Sequence, residues 1–167
     1  MKRLLLFCLA AMAFAACTKE QLPVANYDII PQPKEVQLNE EKPFELGPKT
    51  IVYYESGLQR EAEFLSEYVN DIMGYAMKVL EYQGQPDGIV LKVVPEDFDQ
   101  VEAYEIDITP KQITIEGADA SGVFYGIQTL RKSLPISPID SSQPTGQRGN
   151  DMGESKCQLA NQQMVLP

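Results

Sequence analysis

The sequence predicts an α+β domain, and three observations carry that reading. Two segments place apolar residues at helical period, and two neighbouring segments alternate with period two around Pro110-Lys111. The third is size: 167 residues at 44% hydrophobic content make room for one domain with a real core.

The chain opens on Met1-Lys2-Arg3 and an apolar run from Leu4 to Ala16, too short to span about 30 Å of hydrocarbon as a helix. Residues 1–16 therefore read as a secretory signal peptide. At its end Phe14-Ala15-Ala16-Cys17 resembles the bacterial lipobox, with Phe14 where that pattern prefers an aliphatic residue. The resemblance implies lipidation of Cys17 and an exported, lipid-anchored protein, periplasmic or at the outer membrane. Cleavage after Ala13-Phe14-Ala15 is the alternative and would release a soluble chain. Thr18-Lys19-Glu20-Gln21 lacks an acidic cluster, which favours an inner-leaflet periplasmic address. With Cys8 in the signal and Cys17 lipidated, Cys157 is left without an intrachain partner.

Residues 17–26 read as a polar tether, after which Ile30-Pro31-Gln32-Pro33 fixes an extended entry. Short strands follow near Glu35 to Leu38 and Thr50 to Tyr54. Ser56-Gly57-Leu58-Gln59 spells a capping box for the first helix, and Gly74 supplies a left-handed stop. Between them Leu58, Ala62, Leu65, Val69 and Ile72 form a buried stripe. Ala76 to Tyr82 and Gly88 to Val94 read as strands. Tyr104, Ile106 and Ile108, then Ile113 and Ile115, give a hairpin with one wet and one dry face.

The second helix runs from Asp119 as N-cap to Leu134, before Pro135. Ala120, Val123, Ile127, Leu130 and Leu134 make its stripe, and Arg131 with Lys132 complement the dipole of its last turn. Gly122 and Gly126 strip one side of side chains, at a cost of about 1 kcal/mol each relative to Ala. That pattern implies a close backbone approach to a neighbouring element. Residues 136–167 lack period and aromatics, and read as a disordered tail that buries no core.

The formal charge of -10 becomes -12 once Lys2 and Arg3 are set aside, so the surface repels nucleic acid and anionic head groups. No nucleic-acid partner is expected, and the membrane enters only through the lipid. Absence of His removes Ser-His and Cys-His couples and most zinc sites. Absence of Trp removes the commonest sugar-stacking side chain. No catalytic residue, metal site or cofactor is assigned. Glu96-Asp97-Phe98-Asp99 lacks the glycine and the bidentate Glu of an EF-hand and reads as a solvated loop. Glu40-Glu41 and Glu61 with Glu63 read as solvated faces. Tyr53, Tyr54, Tyr68, Tyr75 and Tyr82 fit core or interface positions better than a sugar platform.

Two stretches carry a family resemblance: Ile30-Pro31-Gln32-Pro33, and the run Ile115-Glu116-Gly117-Ala118-Asp119-Ala120-Ser121-Gly122-Val123-Phe124-Tyr125-Gly126-Ile127-Gln128-Thr129-Leu130-Arg131. Residues 27–135 resemble the N-terminal accessory domain of glycoside hydrolase family 20, the exo-β-N-acetylhexosaminidases. The resemblance implies a mixed, largely antiparallel sheet covering two roughly parallel helices that face a catalytic barrel. Gly122 and Gly126 would then serve close packing, against the sheet or the barrel. The family's chemistry lies in that barrel, where an adjacent Asp-Glu pair exploits the substrate's own acetamido group. This chain contains no Asp-Glu dipeptide and has no length for a barrel of about 250 residues beside the accessory domain. A related domain precedes some α-glucuronidase and family 84 barrels.

Three readings stay open: a hexosaminidase front part ended early, with the tail from about Ser141 in a shifted frame; a non-catalytic lipoprotein binding glycans or a partner; and an enzyme subunit whose barrel is a separate chain. Without the barrel, self-association through the bare face is expected.

Overall fold

The structure, a computed structural model, describes residues 25–26, 34–38, 42–134, 157–159 and 162–166. The elements in chain order are β1 (Glu35–Leu38), β2 (Phe44–Leu46), β3 (Ile51–Tyr54), α1 (Gln59–Met73), β4 (Lys78–Glu81), β5 (Gly88–Val93), β6 (Tyr104–Ile108), β7 (Gln112–Gly117), α2 (Ala120–Ser133), β8 (Cys157–Leu159) and β9 (Gln162–Leu166).

The period-two alternation of β6 and β7 sets the centre of the fold. Ile106 pairs with Ile115 and Ile108 with Ile113, and all four are fully buried under the helices. Each such side chain contributes roughly 1.5–3 kcal/mol relative to exposure. From this hairpin the sheet extends both ways in the order β1-β9-β6-β7-β5-β3-β4. Pairings on the β6 side are antiparallel, whereas β7-β5, β5-β3 and β3-β4 are parallel. The sheet is therefore mixed, with both helices on one face. The crossover through α1 makes β4 parallel to β3, as such connections require. A small second sheet pairs β2 with β8.

The first helix starts later than the capping-box spelling predicts. Gly57 adopts φ +97° and the Leu58 amide bonds to the Glu55 carbonyl at 3.0 Å, so Ser56 sits in a turn and Leu58 is the N-cap, without a side-chain cap bond. Gln59, freed from capping duty, bonds to Glu63 one turn on at 2.7 Å. Gly74 does close the helix in the left-handed conformation. The buried stripe holds Leu58, Ala62, Leu65 and Val69, with Met73 more deeply placed than Ile72. On α2, Asp119 caps as expected, accepting from the Gly122 amide at 2.8 Å, while Ala120 is exposed and drops out of the stripe.

The reading of residues 136–167 as a tail that buries no core is corrected as well. Within the tail, β8 and β9 pair with β2 and with both β1 and β6, and Leu159 is fully buried in the core. Composition missed them because an open edge recruits a strand through its backbone, and strand preference follows context more than intrinsic propensity. The rest of 136–167, the signal, Cys17, most of the tether and the Ile30–Pro33 entry lie outside the described residues.

Gly122 and Gly126 determine how close α2 sits to the sheet. A Cβ at Gly122 would overlap the Ala103 carbonyl oxygen, and one at Gly126 would fall 2.5 Å from Ile115 Cγ2. The Gly122 obstacle is backbone and cannot rotate away. We therefore expect Gly122→Ala to destabilise the domain by about 1–3 kcal/mol through overpacking, despite the better helix propensity of Ala. Denaturant melts with Ser121→Ala as an exposed control check this; an unchanged midpoint for Gly122→Ala would count against the close approach.

Candidate docking surface

Helical spacing puts a second set of side chains beside the buried stripe of α1. Glu61, Phe64 and Tyr68 recur at steps of three and four on the flank toward α2. There Phe64 meets Phe124 at 5.4 Å between ring centroids, and Phe124 meets Tyr125 at 6.1 Å. The Arg131 guanidinium lies 4.3 Å from the Tyr68 centroid and 5.8 Å from that of Phe64. Its Nη1 donates to Gln128 Oε1 at 2.9 Å, and the Tyr68 hydroxyl reaches the Arg131 carbonyl at 3.5 Å. Arg131 thus lies over both rings at cation–π distance, with Nη1 committed to Gln128.

The patch is open to solvent. Phe124 is 37% and Tyr125 43% exposed, on a helix whose opposite face is fully buried. Among the described residues, Glu61 Oε2 is the buried side-chain oxygen that has no hydrogen-bond partner. Glu61 is half-buried, so the expectation of a solvated carboxylate fails there, although Glu63 is exposed as expected. Apolar rings with an arginine lying over them are the ingredients of an interface centre. The sequence signal was available: Phe64, Tyr68 and Phe124 are large rings just off the buried stripes. Arg131 was read only as a dipole partner.

The opposite face of the sheet has another character. Glu105 stands directly across from Glu116, and Asp107 across from Thr114. Lys92 pairs with Glu116 at 3.3 Å and lies 5.6 Å from the Tyr82 ring. Partial burial, and then the charges of Glu105 and Glu116, raise the Asp107 carboxyl above its ordinary value. Among the described residues no group of three or more His, Cys, Asp or Glu could hold a metal ion, and no helix is long and apolar enough to cross a membrane. Tyr53 is buried, with its ring edge-on to Tyr82 at 6.5 Å, while Tyr54, Tyr68 and Tyr75 pack against the core. Tyr104, under α2, bonds Thr129 and has its hydroxyl pKa raised chiefly by burial. Glu96 and Asp97 are exposed in a short helical turn. Gly122 and Gly126 face the sheet, away from the aromatic patch.

The model for domain 2 of glycosyl hydrolase family 20 matches residues 26–147, more than half of the chain. Among solved structures, the exo-β-N-acetylglucosaminidase of Vibrio harveyi superposes with a TM-score of 0.61 at 17% identity, covering 87% of this chain and 20% of that one. The β-N-acetylhexosaminidase of Streptomyces coelicolor gives 0.58 at 27% identity, with 83% and 26% covered. That of Bacteroides fragilis gives 0.54 at 19% identity, with 84% and 24% covered. The chain thus spans about a fifth to a quarter of the length of these proteins. No curated protein sequence matches it.

Asp107 permits a signed test. A carboxyl raised in the folded state favours folding while protonated, and that contribution is lost as pH rises through its folded value. Asp107→Asn should therefore be more stable than the parent at neutral pH, with the advantage shrinking as pH falls through the raised folded value and gone once pH is below the ordinary aspartate value of ~4. Urea melts at pH 7 and pH 3 measure it; a constant difference between the two would exclude the linkage.

Proposed function

Because the chain belongs to glycosyl hydrolase family 20, matching its domain 2, we propose that it serves as a non-catalytic accessory domain. Its helix face seats a glycosidase barrel that acts on terminal β-linked N-acetylhexosamines of glycans. The observation that carries this reading is the exposed pair Phe124 and Tyr125, joined to half-buried Phe64 with Arg131 over its ring. A soluble monomer has little reason to leave such rings in contact with water, and a partner that covers them recovers their burial energy. The same face, left bare, favours association between copies. Nothing in the described residues assembles an acid and a stabiliser around a sugar: the raised carboxyl, Asp107, sits on an open sheet face beside other carboxylates.

The test is a chimera in which residues 26–147 replace the matched segment of the Streptomyces coelicolor hexosaminidase. It should be soluble and release p-nitrophenol from the N-acetyl-β-glucosaminide, while the 167-residue chain alone releases none. Phe124→Asp should lower the chimera's Tm by several degrees yet leave the isolated chain nearly as stable as before. Turnover by the isolated chain that survives purification and falls on loss of one of its own carboxylates would overturn the reading, as would indifference of the chimera to Phe124→Asp.

We propose further that the protein is exported and held at the membrane by lipid on Cys17. The small-small-Cys junction after the apolar run supports this. Mass spectrometry of the mature N-terminus should find a diacylglyceryl Cys17, and Cys17→Ser should leave the chain unprocessed or in the soluble fraction; a mature chain beginning at Ala16 would rule the anchor out.

A further inference from the structure

A cleft of about 670 Å³ opens where β3 and β5 begin, well within the usual size of small-molecule sites. Three separate segments each bring one lysine to it: Lys42 from the approach to β2, Lys49 from the turn before β3, and Lys111 from the β6-β7 turn. All three are exposed. The ion pair among the described residues is Lys92 with Glu116, so these lysines hold no carboxylate there. The lysines outnumber the carboxylates of the same lining, Glu45 and Asp87, so in a chain of net charge -10 the cleft is a place of slight positive excess that favours an anion against the general field.

The remaining lining narrows the ligand. Glu45 and Asp87 share the cleft with the lysines, so a bare inorganic anion gains attraction and repulsion together. Carboxylates suit hydroxyl donors, and the apolar surfaces of Pro43, Ile51 and Pro110 suit ring C–H groups. Anionic group, neighbouring hydroxyls and apolar ring face occur together in an acidic sugar.

We propose that the cleft lined by Lys42, Lys49 and Lys111 binds an acidic saccharide, one carrying a carboxylate or sulfate beside free hydroxyls. The site lies at the strand ends and shares no lining residue with the aromatic helix face, so it stands independently of barrel docking.

Calorimetric titration of the purified full chain tests it with four probes: a hyaluronan tetrasaccharide for the carboxylate, a sulfated chondroitin tetrasaccharide for the sulfate, neutral chitotetraose, and inorganic phosphate. At least one anionic saccharide should bind saturably, with affinity falling as salt rises. The two anionic probes decide which group is read. Lys49→Glu with Lys111→Glu should weaken that binding at least tenfold, and the milder Lys49→Ala with Lys111→Ala should weaken it by a smaller factor with an unchanged melt. Absence of saturable binding by both anionic saccharides overturns the proposal. So do equal binding of chitotetraose, phosphate competing at equal affinity, and indifference to the alanine pair.

Discussion

The rest of the domain depends on the close approach of α2 to the sheet. Asp119 secures the start of the helix twice over: its Oδ1 accepts from the Gly122 amide at 2.8 Å and its Oδ2 from the Glu102 amide at 3.1 Å. The Ala118 amide adds a bond to the Ala103 carbonyl at 2.9 Å. The same carbonyl oxygen occupies the space a Cβ of Gly122 would need. The helix start, the entry to β6 and the absence of a side chain are therefore one constraint. One turn later Gly126 lets Ile115 and Tyr104 come up against the helix backbone. With the helix this low, Val123, Ile127 and Leu130 are buried beneath it, and Phe124 is lifted to meet Phe64 across the groove. A methyl group beneath α2 would move the ring cluster as well as the core.

The two faces of the domain are suited to different surroundings. On the open sheet face like charges meet directly, Glu105 across from Glu116, an arrangement unfavourable in itself, and Lys92 pairs with Glu116 there. Such a face is hard to cover with apolar surface, because carboxylates would lose water without gaining partners. On the helix face the exposed side chains that touch one another are rings, and the cation among them is stacked. Charge and packing thus leave one side of the molecule ready for a dry contact and keep the other wet.

Much of this was legible in the sequence, for reasons that differ by element. The β6-β7 hairpin and the helix stripes were readable because burial imposes a period, and the Asp119 cap because it is local chemistry. The Ser56 cap was misread because Gly57 diverts the chain into a turn, and spelling alone cannot tell a cap from a turn two residues earlier. Strands β8 and β9 were invisible because their partners are the unfilled edges of β2, β1 and β6, a fact of topology with no trace in Gln162–Leu166 itself. Phe64 and Phe124 were in plain view, but the meeting of their rings requires the spacing of two helices sixty residues apart in the chain. The lysine cleft is of the same kind, since Lys42 and Lys111 are joined only by the fold.

Covering the helix face has an electrostatic condition that bears on which partners fit. Arg131 has one donor committed to Gln128, and no carboxylate among the described residues lies within ion-pair reach. An apolar lid would bury the rings favourably but would also strip water from the remaining guanidinium donors, and a charged group buried without a partner is strongly unfavourable. A partner that places a carboxylate or carbonyl at Arg131 removes that penalty while keeping the gain from Phe124 and Tyr125. The rings thus supply most of the attraction, whereas the arginine rejects apolar surfaces that do not match, so affinity and selectivity at this face come from different residues.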